Sequence, residues 1–171
     1  MEPQHCSFAR YEHKDAFTVV GVQETIPFAE MATKMPSLVQ KFFEKCGEIK
    51  NTKSDTTYGL CFDVTESQLT YLLGREVTKV EDLSEGLVSK EVGGHEYAVI
   101  AHKGSKDKLS ETYPWFYAKW LPESGCEMVH LPSFEVCDER FIPMGPDVDK
   151  SYLEIYFPVK KPAGDKESKS N

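Results

Sequence analysis

The stretch Tyr152-Leu153-Glu154-Ile155-Tyr156-Phe157-Pro158-Val159 alternates without a break. Leu153, Ile155, Phe157 and Val159 form one apolar row, and Tyr152, Glu154, Tyr156 and Pro158 form the other. A period of two over eight residues specifies a strand with one face on a core. The second row sets a carboxylate between two tyrosines. Left in solvent, such a face is ordinary. Covered, it makes Glu154 an anion walled by aromatic rings, which either takes up a proton or awaits a cation.

The rest of the chain supplies partners for that strand. Residues 1–15 read as an irregular lead-in. Ala16 to Gln23 is β-branched enough for a strand. Phe28, Met31, Met35, Leu38, Val39, Phe42, Phe43 and Cys46 fall at helical spacing, with Pro36 expected in the first turn of the main helix and Gly47 as a left-handed cap. Strands are predicted over 57–64 and 69–77, and a charged connector between Thr78 and Lys90. The order then begins again. A strand spans His95 to His102, and a helix carries Leu109, Tyr113, Phe116, Tyr117, Trp120 and Leu121, with Pro114 at its start or at a kink. It is expected to end before Pro122 and Gly125. Strands follow over 127–130 and 133–137, before the closing strand. Residues 161–171 read as a disordered polar tail.

Each half thus reads strand, helix, strand, strand, over about 16–77 and 95–160. The fold class that follows is α+β: duplicated βαββ halves about a pseudo-two-fold axis, with antiparallel sheets, two main helices and a central ligand cleft within a single domain, 16–160.

Composition narrows the function classes. A formal charge of −8 in 171 residues argues against direct contact with nucleic acid, and a cationic ligand suits it better. No stretch is long enough to span a membrane, and the N-terminus lacks a signal-peptide pattern, so a cytoplasmic protein is expected. Cys6, Cys46, Cys61, Cys126 and Cys137 show no CxxC spacing and read as reduced thiols. The five histidines are scattered, so neither a metal nor another cofactor is expected.

The segments FTVVGVQ, HEYAVIAHKGS, Trp120-Leu-Pro-Glu-Ser-Gly125, Phe134-Glu135-Val136 and Leu153-Glu-Ile-Tyr-Phe-Pro-Val159, in that order, resemble the GyrI-like small-molecule-binding family. This is the effector-binding domain of AraC- and MerR-type multidrug transcription regulators, and the resemblance covers roughly 16–160. It implies an aromatic-lined cleft with a glutamate at its floor that attracts lipophilic cations, and it assigns that glutamate to Glu154. Cys126 and Cys137 stand where relatives often have tyrosine, which changes the shape expected of the cleft. Nothing before residue 16 reads as a helix-turn-helix, so a free-standing member is expected.

The first function expected is therefore binding of flat, hydrophobic, often cationic small molecules, for multidrug-type sensing or sequestration. Glu154 is the counter-charge, and Tyr58, Tyr71, Tyr113, Trp120, Phe134, Tyr152 and Tyr156 are the candidate walls. Stacking and cation–π attraction contribute about 0.5–2 kcal/mol each. The alternative is a hydrolase of strained, cyclopropanoid-type electrophiles, which the family resemblance allows. Glu154, its pKa raised by burial, would be its general acid or base with Tyr152 or Tyr156 assisting. Glu135, the nearest second carboxylate, reads as a solvated strand residue. The family name also allows a gyrase-inhibitor-like role with a protein partner.

Overall fold

In a computed structural model, residues 5–105, 108–142 and 145–162 are described. Among the described residues nine strands and three α-helices follow one another as β1 (Cys6–Lys14), β2 (Phe17–Pro27), α1 (Met31–Lys45), β3 (Thr57–Phe62), β4 (Gln68–Val77), β5 (Val88–Val92), β6 (His95–Lys103), α2 (Leu109–Trp115), α3 (Leu121–Ser124), β7 (Glu127–Met128), β8 (Ser133–Cys137) and β9 (Tyr152–Lys160). All pairings are antiparallel, in the order β1-β6-β9-β8-β3-β4-β2-β5, with β7 added beside β9.

That order repeats itself by role. β2-α1-β3-β4 and β6-α2-β8-β9 each place their strands first, third, second from the outside inward, and the two middle strands, β3 and β8, meet at the centre. The lead-in strand of each half lies on the other half: β1 pairs with β6, and β5 with β2. Only Asp15 and Ala16 separate β1 from β2, and only Gly93 and Gly94 separate β5 from β6. Strands far apart in the order are thus joined by two-residue links, so the sheet must curl until those ends meet. The links touch: a Cβ on Gly94 would lie 3.3 Å from the Ala16 amide nitrogen and 3.4 Å from the Lys14 carbonyl oxygen.

Curling gives the sheet two different faces. The inner one packs Phe17, Tyr58, Leu60, Leu72, Tyr97, Val99, Phe134 and Tyr156 against one another. Phe17 on β2 lies three strands from β8, a flat-sheet distance of roughly 14 Å, yet its ring centroid is 5.2 Å from that of Phe134. On the outer face α1 covers Val20, Ile26, Leu69, Tyr71 and Leu73 with Leu38 and Phe42. The α2 segment covers Ala98, Ile100, Leu153, Ile155 and Phe157 with Trp115 and Phe116. Both rows of β9 are therefore buried, one beneath a helix and one inside the curl.

Several expectations change. The lead-in contains β1, and the charged connector ends in β5. Both are edge strands: β1 has mostly exposed side chains, and β5 alternates in burial but places Lys90 in its inward row, so neither shows a strong apolar period. Pro36 lies inside α1, not in its first turn, and Gly47 sits in a 3-10 turn, Cys46–Glu48, without the left-handed conformation. The second helix runs past its expected end through a π-helical stretch, Phe116–Trp120, and through Pro122, to stop at the left-handed Gly125. Of the polar tail, residues 163–171 lie outside the described residues, as do residues 1–4 of the lead-in. Among the described residues no helix is long and apolar enough to cross a membrane.

Candidate functional site

On the outer face at the centre of the sheet, where α1 and α2 part, the outward-facing row of β3 and β8 is Thr57, Gly59 and Cys61 beside Cys137, Glu135 and Ser133, all buried or half-buried. Gly59 is the register partner of Glu135. Its missing side chain makes room for Tyr71, which reaches over from β4: a Cβ at position 59 would lie 2.0 Å from the Tyr71 hydroxyl oxygen. That hydroxyl donates to Glu135 Oε1 at 3.0 Å, and Tyr113, from α2, donates to Glu135 Oε2 at 2.5 Å. Three elements converge on one carboxylate that is 5% exposed. Burial, followed by the Glu135 charge, pushes both phenol pKa values well above their ordinary range, so the two tyrosines stay protonated donors.

A cavity of about 300 Å³ opens beside this carboxylate. Val39, Phe42 and Phe43 of α1 form its roof, Gly59, Tyr71, Leu73 and Glu135 its floor, and Asp55, Thr57, Cys137, Asp138 and Phe141 its outer side. The chemistry is that of an apolar slot with an anionic floor. Phenol hydroxyls stabilise an ionised carboxylate without cancelling its charge, and the walls exclude water that would otherwise compete for it.

Glu154 is elsewhere. It lies on the inner side of β9, where the Arg10 guanidinium grips it as a fork, Nη1 to Oε2 and Nη2 to Oε1, both at 3.0 Å. Tyr152 adds a hydroxyl to Oε2 at 2.7 Å. Arg10 reaches the inner side because of a bulge: Phe8 faces Ile100 and Arg10 faces Val99, leaving Ala9 as the extra residue that reverses the alternation of β1. Burial pushes the Glu154 pKa up, but the hydrogen bonds from Arg10 and Tyr152 outweigh it and hold the carboxyl below its ordinary value. The expectation of a Glu154 pKa raised by burial is therefore corrected: its cation is already in the fold. The expectation of a solvated Glu135 is corrected with it.

The candidate walls divide between four places. Tyr71 and Tyr113 meet at Glu135. Tyr58, Phe134 and Tyr156 belong to the inner cluster, where Phe134 and Tyr156 stack at 4.8 Å. Tyr156 also accepts from Arg10 at 3.1 Å. Tyr152 serves Glu154, with the Arg140 guanidinium 4.2 Å above its ring. Trp120 stacks between Phe116, at 5.3 Å, and Phe8, at 5.1 Å, pinning β1 to the second helix away from the cavity. Phe42, Phe43 and Leu73 line the cavity but were assigned to the core by their helical or strand period. Gly59 was the available signal, since a glycine inside a strand marks a close approach.

The profile of the GyrI-like small molecule binding domain matches residues 9–160. Transcriptional regulator BrlR of Pseudomonas aeruginosa is 31% identical over 152 residues, covering 88% of this chain and 55% of the regulator. The chain thus spans about half the length of that relative. The structure of SAV2435 bound to tetraphenylphosphonium aligns with a TM-score of 0.68 at 17% identity, over 88% of this chain and 93% of that one. The C-terminal domain of EcmrR aligns with a TM-score of 0.65 at 14% identity, over 89% and 96%. At such identities these two structures establish likeness of fold.

Proposed function

Because the chain belongs to the GyrI-like small-molecule-binding family, we propose that it binds bulky hydrophobic cations in the cavity beneath α1, with Glu135 as counter-charge, for multidrug-type sensing or sequestration. The observation that carries this reading is the carboxylate itself, 5% exposed, held by two neutral phenols and opening on an apolar slot. A delocalised cation loses little hydration on entering such a slot and gains a charge contact in a low dielectric. Apart from Glu135, Tyr71 and the polar residues Asp55, Thr57 and Asp138 on the outer side, the walls are apolar and non-directional, so shape is loosely specified and several compounds of this class can share the cavity. Tetraphenylphosphonium, bound in the structure of SAV2435, is a compound of this class and supports the reading by likeness of fold.

The test is a calorimetric titration with tetraphenylphosphonium of the wild type, Glu135→Gln and Glu154→Gln, followed by mass spectrometry of the compound. Wild type is expected to bind saturably and return the compound intact. Glu135→Gln should bind ten- to a hundredfold more weakly, the loss of a charge-assisted contact of about 1.5–3 kcal/mol. Glu154→Gln should change affinity by less than about threefold, since its charge is satisfied by Arg10. Undiminished affinity in Glu135→Gln would remove this residue from the role.

A further inference from the structure

One cation on the same face of the sheet stands without an acid. Arg75 follows Leu73 by two residues on β4, so its side chain joins the same outer row, and its guanidinium carbon lies 5.5 Å from the centroid of Phe42. Leu73 and Phe42 both line the cavity, and Gly74 pairs with Tyr58, which brings Arg75 alongside Thr57, another lining residue. Arg75 is half-buried, and its Nε is buried with no hydrogen-bond partner. Among the described residues no carboxylate forms an ion pair with it, although Asp55 lines the same cavity and Glu76 is its chain neighbour. Glu76 is engaged instead by Lys53 at 3.4 Å and by the Tyr58 hydroxyl at 3.3 Å.

A buried N–H of a guanidinium is a costly group to leave unmade, and its planar fork matches a carboxylate. Glu135 and Arg75 lie on one face, two strands and two rows apart, with the cavity-lining residues Gly59, Leu73 and Thr57 between them. We propose that Arg75, which does not itself line the cavity but borders it behind Phe42 and Thr57, forms an anion subsite there, so that the preferred ligands are zwitterionic aromatics, with a delocalised cation at Glu135 and a carboxylate at Arg75. This deepens the reading of the Glu135 cavity as a cation site and rests on it. Phe42, which both lines the cavity and stacks on the guanidinium, orients the fork.

The experiment compares two dyes that differ in one bond: a rhodamine with a free benzoate, and its methyl ester. Both are titrated by fluorescence anisotropy into wild type, Arg75→Gln, Arg75→Lys and Glu135→Gln. Wild type should bind the acid at least fivefold more tightly than the ester. Arg75→Gln should abolish that preference by weakening the acid alone, Arg75→Lys should keep part of it, and Glu135→Gln should weaken both dyes. If wild type binds the ester as well as the acid or better, the subsite is overturned while the cation site stands, and that ratio is readable even if Arg75→Gln fails to fold. Equal weakening of both dyes by Arg75→Gln would mark a packing role and overturn the proposal. Failure of wild type to bind either dye would overturn the cation site, and the subsite with it.

Discussion

Gly59 and Glu135 are register partners on β3 and β8, and the hydrogen atom that serves Gly59 as a side chain is what lets Tyr71 lie across one strand and donate to the carboxylate on the next. Gly59→Ala would place a Cβ 2.0 Å from that hydroxyl and 2.6 Å from Cζ. The ring must swing out of the buried row, at a cost of about 1–3 kcal/mol. A fall of that size in urea-unfolding stability, together with weaker tetraphenylphosphonium binding, is expected. An alanine variant of unchanged stability would mean that Tyr71 moves freely.

Tyr113→Phe and Tyr71→Phe each remove one donor from a buried carboxylate, and each should cost about 1.5–3 kcal/mol. They differ in where the loss is felt. Tyr113 is the tie between Glu135 and α2, so its loss should speed amide hydrogen exchange across Leu109–Trp115 more than across α1.

Glu154 makes acid stability readable. Its folded pKa lies below its ordinary value, so the ionised form adds stability at and above the ordinary carboxylate range. That contribution is lost as pH falls through the lowered folded value. Arg10 is 43% exposed and Glu154 9%, so breaking the pair should cost about 1–3 kcal/mol near neutral pH, below the value for a fully buried pair. Glu154→Gln should therefore be less stable than wild type near neutrality, and the gap should close as the pH is lowered. Parallel stability–pH curves for the two proteins would refute the assignment.

At the crossing of the two links, Gly94→Val would press a branched side chain against backbone already at the distance of tight contact. A cost of about 1–3 kcal/mol is expected from overpacking, and Gly94→Ala should cost less. Gly93, with nothing near its Cβ position, is the control in the same denaturation series.

Trp120→Ala should lower stability by about 2–4 kcal/mol, since the indole is sandwiched between Phe116 and Phe8. Affinity for tetraphenylphosphonium should hold, because Trp120 does not line the cavity.

The alternation of β9 and the helical spacing of Leu38, Phe42, Trp115 and Phe116 were legible because burial on a single face imposes a period. β1 and β5 were not, because neither edge strand carries a strong apolar period. The different settings of the two strand glutamates were not legible, for a physical reason. Glu154 and Glu135 both sit in strands among aromatic residues, and local pattern weighs them alike. What separates them is distant in sequence: a bulge at Ala9 aims Arg10 at Glu154, whereas Gly59 and Tyr113 bring phenols to Glu135. Charge balance of a buried acid is a property of tertiary contacts, and a strand's own residues do not contain it.

The exchange of lead-in strands sets a timetable. Among the described residues β1 pairs only with β6, with Cys6 opposite His102, and β5 closes back on β2, with Phe17 opposite Val92. A chain made N-terminus first must hold β1 unpaired until β6 has followed it, and loop closure over that span delays the pairing further. Neither half can finish its sheet alone, so folding becomes a late, collective event. β1 is made before its partner and waits for it.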